Sequence, residues 1–153
     1  MLRPSGAEQP QEGPSDFVVS VGDATAMFAE SEVGEKVTQE FYEGKGRAFT
    51  DQRGGRVVVA VLMFRSDTAA QAFMAQYAAE NDAREVPASD MNGITGIRDV
   101  VRTDAKKGEP VFTAGMLTVG DVVSIVIDRQ PKPVDAGVLR GYLSKQHELV
   151  SSI

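Results

Sequence analysis

Val57-Val58-Val59-Ala60-Val61-Leu62-Met63-Phe64 is an unbroken apolar run with no polar residue in alternation. A half-buried strand alternates apolar and polar side chains, so a strand written this way is expected to be covered on both faces, at the centre of a sheet. Arg53-Gly54-Gly55 precedes it, a hairpin signal because glycines accept the positive φ that tight turns require. Ser66 or Asp67 follows as the cap of a helix in which Ala70, Phe73, Met74, Tyr77 and Ala78 recur at helical spacing and form a stripe for burial against the sheet.

Working outward, Phe17, Val18, Val19 and Val21 predict a short strand or extended lead-in, and Asp23 the cap of a brief helix from about Ala24 to Glu30. Val37, Gln39 and Phe41 alternate with Thr38, Glu40 and Tyr42 at the period of a half-buried strand. Gly44 and Gly46 read as a turn, with a strand through Ala48, Phe49 and Thr50 after it. Beyond a polar connection from Asn81 to Thr95, three strands are expected over 97–103, 111–118 and 122–129, the last two joined at Val119-Gly120-Asp121. In the last of these, Val123, Ile125 and Ile127 face one way and Ser124 and Asp128 the other, which predicts a partly wet outer face. Pro131 and Pro133 then lead into a closing helix with Val134, Val138, Leu139, Tyr142, Leu143 and Leu149 on its apolar stripe.

Sliding the chain by 65 residues superposes Gly55 on Gly120, Val57 and Val58 on Val122 and Val123, Val61 on Val126, and Tyr77 on Tyr142. Phe49-Thr50 then fall against Phe112-Thr113 at an offset of 63. The shared layout points to a βββα pseudo-repeat, although common β-propensity produces valine matches equally well. The expected fold is α+β: an antiparallel sheet of about six strands packed with two main helices, plus a short N-terminal helix. Residues 1–15, with Pro4, Pro10 and Pro14, read as a disordered leader or linker, and 16–153 as one domain.

Bulk composition narrows the function. The 153 residues carry 16 Lys and Arg against 22 Asp and Glu, a net charge of −6 that disfavours nucleic acid and anionic membrane surfaces. Without cysteine there is no disulfide, thiolate nucleophile, zinc–cysteine site or iron–sulfur cluster. No apolar run is long enough to span a bilayer. Neither a P-loop nor a calcium loop is present, so no cofactor or metal is expected.

With the two meander-plus-helix halves in view, the leader Gly6 to Ser15, the helix 67–80, and the strand Gly120-Asp121-Val122-Val123-Ser124-Ile125-Val126-Ile127 with its proline-led helix resemble small extracytoplasmic lipoprotein domains of actinobacteria. The layering also resembles the PsbP/Mog1-like sandwich. The resemblance implies an envelope location, possible only through an anchoring segment beyond this sequence, since the chain shows neither lipobox cysteine nor signal peptide.

His147 is the sole histidine, beside Glu148, and is read as an exposed residue rather than a base. Asp99, Asp104, Asp121 and Asp128 are read as solvated turn and edge charges rather than catalytic acids. Three binding features stand out. Lys45, Arg47, Arg53 and Arg56 surround one hairpin of an acidic protein, where they either dock an anionic group or an acidic partner or keep a sheet edge soluble. Met63, Met74, Met91 and Met116 either line an adaptable apolar cavity or fill the core. Phe41 and Tyr42 mark a candidate protein-docking patch. The function expected is a non-enzymatic extracytoplasmic domain that binds a protein partner or an apolar ligand; the alternatives are a cytosolic interaction protein of Mog1-like type and, last, an enzyme.

Overall fold

A computed structural model describes residues 15–50, 54–91, 93–94, 96–102, 111–130 and 136–152. In chain order these form β1 (Ser15–Val19), α1 (Val21–Thr25), α2 (Ser31–Val37), β2 (Phe41–Thr50), β3 (Arg56–Phe64), α3 (Asp67–Glu80) and β4 (Arg84–Glu85), followed by a 3-10 turn (Ala88–Met91), β5 (Arg98–Arg102), β6 (Val111–Val119), β7 (Val122–Gln130) and α4 (Ala136–Ser151). The strands make one sheet in the order β1-β2-β3-β7-β6-β5-β4, every neighbour antiparallel. The fold is the expected α+β arrangement, with seven strands among the described residues instead of about six. The addition is β4, two residues within the polar connection.

The apolar run forms β3, between β2 and β7. Its even residues Leu62 and Phe64 join Met116, Val123 and Ile125 in a core under α3. Ser66 Oγ accepts from the Ala69 amide at 3.1 Å, and the stripe Ala70, Phe73, Met74 and Ala78 is buried as its spacing requires. Phe73 packs on Phe28 and Phe64, with ring centroids 5.0 and 5.2 Å apart. The opposite face carries a second core, in which Val57, Leu117 and Val126 meet Leu139 and Leu143 of α4. Gly115 shapes that contact: a Cβ there would stand 2.5 Å from Leu143 Cδ1, so with any other residue Leu143 or α4 would have to shift.

Several local readings are corrected by these contacts. Ser20, not Asp23, caps the first helix; Asp23 returns the bond as the acidic half of a capping box, its carboxylate accepting from the Ser20 amide at 2.9 Å. Val37 ends α2 rather than opening a strand, because Gly34 lies where any Cβ would meet the Thr25 backbone and Thr38 Oγ1 donates to the Gly34 carbonyl at 2.7 Å. This tertiary seating overrides the local β-pattern. Gly44 and Gly46 lie inside β2 and form no turn. Their missing side chains make room for Val19 and Leu62 at the first and the Phe17 ring at the second.

The outer face of β7 is dry: Ser124 and Asp128 are buried beneath α4, with Ser124 Oγ donating to Gln146 at 3.1 Å. Gly54 and Gly120 take positive φ at the two hairpins. The repeat runs through the strands, but Phe112 is not the counterpart of Phe49. Val57 faces Phe49 and its equivalent Val122 faces Val119, so Val119 is that counterpart, and the first hairpin is longer than the second. Residues 1–14, Arg53, Asp104, Pro131, Pro133 and Val134 lie outside the described residues.

Candidate binding groove

The expectation that β3 is covered on both faces fails over much of the strand: Val58 and Ala60 stay partly exposed on the α3 face, and so do most of the odd residues on the other. Val57 is buried under α4, but Val59, Val61 and Met63 stay partly exposed. α4 packs chiefly on β6 and β7, held there by the Gly115 notch and the Ser124–Gln146 bond, and meets β2 and β3 mainly at their Phe49 and Val57 end. Between its flank and that half of the sheet is an open groove of about 1200 Å3.

Strand register orders the groove. One end is closed by Phe49, which faces Val57 and meets Tyr142 edge-on at 5.9 Å. The next row is Asp16, Arg47 and Val59, and the one after it Val18, Lys45 and Val61. Val61 pairs with Ser124, which holds Gln146, so Gln146 and its neighbour Lys145 on α4 stand at the level of Lys45. Met63 follows, with Glu43 opposite on β2. Leu149 borders the mouth from α4 at 61% exposure, and Val18 from β1 at 74%. The groove is therefore mostly apolar, and large exposed hydrophobics converge on it.

Its polar side is cationic. Arg47 Nε donates to Asp16 Oδ1 at 2.6 Å and Nη2 to Oδ2 at 3.2 Å, a cross-strand pair tying β1 to β2. Hydrogen bonding to the guanidinium holds the Asp16 carboxyl below its ordinary pKa against an opposing loss of solvation, with the Arg47 charge adding to the lowering. Lys45 has only a loose contact with Glu43, 3.6 Å between exposed groups. Among the described residues Lys145 makes no ion pair.

The sequence-nominated residues scatter. Lys45 and Arg47 line the groove; Arg56 is exposed at the start of β3. Phe41 is buried against Phe64 at 5.7 Å, which removes it from a docking patch, whereas Tyr42 is exposed, donates to Met63 Sδ at 3.8 Å and has Arg65 over its ring at 5.5 Å. The methionines line no common cavity. Met74 and Met116 belong to the α3 core, Met91 to the α4 core, and Met63 alone lies beside the groove floor. Missed by the sequence were Val59, Val61, Tyr142, Lys145 and Leu149. The one available signal was the uninterrupted β3 run, which asked for more cover than the chain provides.

The carboxylates also need correction. Asp99 and Asp128 are buried, not solvated; Asp121 lies in the β6–β7 turn, where its carbonyl accepts from the Phe64 amide at 2.9 Å. Asp99 stands 3.5 Å from Arg84 and 3.7 Å from Arg140, and Arg140 also reaches Asp90 at 3.5 Å. These charges link α4 to β5, β4 and the 3-10 turn, away from the groove. His147 is partly exposed on α4. Among the described residues no three His, Asp or Glu side chains are grouped to hold a metal, and no helix is long and apolar enough to cross a membrane.

No protein-family model and no curated protein matches the chain. Among solved structures, the extracellular domain of PknH from Mycobacterium tuberculosis is similar over 87% of this chain and 80% of that one, at 13% identity and a TM-score of 0.47.

Proposed function

We propose that the chain is a non-enzymatic binding domain of the cell envelope and that the groove is its ligand site. One observation carries this reading: the odd residues of β3, written for burial, face a concave space that α4 does not fill. An apolar ligand lying on Val59, Val61 and Met63 would remove that surface from water at about 25 cal/mol per Å2. A concave apolar site with few polar groups is the usual form of a small-molecule site, and it favours a ligand over a flat protein partner.

Titration with Nile red, an uncharged apolar fluorophore, tests the reading. The folded protein should raise and blue-shift its emission. Val61→Asp should abolish the response, with circular dichroism showing that the variant is still folded at the assay temperature. A folded wild-type protein that leaves the dye dark would overturn the proposal, and native mass spectrometry of the purified protein should show a co-purifying mass lost on denaturation.

A further inference from the structure

Resting on the groove as a ligand site, we infer the class of ligand: an amphiphile with one apolar chain and an anionic head. The charges that line the groove are Asp16, Lys45, Arg47 and Lys145. Arg47 and Asp16 neutralise each other through two hydrogen bonds. What remains is two lysines, Lys145 and a Lys45 only loosely met by Glu43 at 3.6 Å, in a protein whose net charge is −6. A local excess of positive charge against the sign of the whole molecule is a feature of the site and not of the composition.

Geometry gives the two lysines a shared task. Lys45 rises from β2 and Lys145 from α4, and the register through Val61, Ser124 and Gln146 sets them at one level on opposite sides of the apolar floor. Both are exposed, and their aliphatic stems can line the groove while the ammonium groups stay at its wet mouth. The floor from Val59 to Met63 is about 13 Å long at the rise of an extended strand, room for a bent or medium-length acyl chain. An amphiphile lying there would bury its chain on Val59, Val61 and Met63 and present its head between two ammonium groups, neither held by a strong pair. An uncharged apolar ligand would leave the lysines unused; an acidic peptide would leave the floor unfilled.

The experiment compares oleate with its uncharged counterpart oleyl alcohol, each below its aggregation concentration, as competitors that displace Nile red from wild-type protein and from a Lys45→Gln/Lys145→Gln double variant. Charge-assisted contacts at an exposed mouth should make oleate about five- to tenfold tighter than the alcohol at low salt. The preference should shrink with added salt and vanish in the double variant, whose affinity for the alcohol stays unchanged. Equal affinity of the two ligands for the wild type, or a preference that survives in the double variant, overturns the anionic-head inference and leaves the groove standing as an apolar site. If neither ligand displaces the dye, or the dye itself fails to bind folded protein, both the inference and the groove reading fall.

Discussion

Ala60 of β3 and Ile125 of β7 face each other at the centre of the sheet, and each is the other's counterpart in the 65-residue repeat. A twofold axis through this pair carries Val57↔Asp128 onto Met63↔Val122, so the central strands obey it. The helices do not. α3, carrying Tyr77, covers one face, and α4, carrying Tyr142, crosses to the other and settles over its own half. The groove is the place where a symmetric sheet lacks a symmetric second cover.

Two leucines on α4 should therefore behave oppositely. Leu143 is fully buried on Gly115 and Leu117's side of the sheet, so Leu143→Ala should cost about 2–5 kcal/mol. Leu149 is mostly exposed at the groove mouth, and Leu149→Ser should stay within about 0.5 kcal/mol. Urea unfolding of both variants measures the contrast; equal losses would mean that α4 is seated differently.

Gly115→Ala tests the notch itself. The new methyl meets the buried Leu143 side chain, so α4 must lift or Leu143 must leave its rotamer, at about 1–3 kcal/mol. The thermal midpoint should fall and Nile red binding should change with it, since the groove wall moves.

The charge network at Asp99 predicts a non-additive cycle. Asp99 is 1% exposed, and Arg140→Ala would leave its carboxylate to the largely exposed Arg84 alone, at about 3 kcal/mol. Pairing Asp99→Asn with Arg140→Leu should cost less than the two single changes added together, because no buried charge is then stranded. Denaturant midpoints of the four proteins provide the test.

Acid should loosen β1 first. Asp16, through Arg47, and Asp23, through the Ser20 amide and hydroxyl, both have pKa values below the ordinary 3.8 in the folded protein. A lowered folded-state value gives stability that is fully present above the unfolded value and is lost as pH falls through the lowered one. Hydrogen exchange at about pH 5 and about pH 3 should show amide protection falling in β1 and α1 more than in β7. Asp16→Asn should remove most of the difference in β1.

The parts legible in the sequence were those whose signals are local. Ser66 with its apolar stripe gave α3, and Gly120 between valine-rich runs gave the β6–β7 hairpin. Thr38, Gly44 and Gly46 misled because their roles are set by residues far along the chain: Thr25, Leu62 and Phe17. The groove lay half within reach. The β3 run announced an apolar surface needing cover, but which half would lack it depends on where α4 lands, and that is fixed by Gly115 and Ser124 meeting Leu143 and Gln146.

A strand left apolar on an open face is also a hazard. Eight consecutive residues of high β-propensity, without charge or proline, have the composition that favours cross-chain stacking if β1 and β2 peel away. A gatekeeping charge at Val59, Val61 or Met63 would remove the danger and the ligand floor together. The chain instead places Arg56 and Arg65 at the two ends of the run, the flanking positions where such charges deter aggregation without touching the floor. Any occupant that binds only the folded groove would add to that protection by mass action, so an emptied protein should be the one that precipitates on storage.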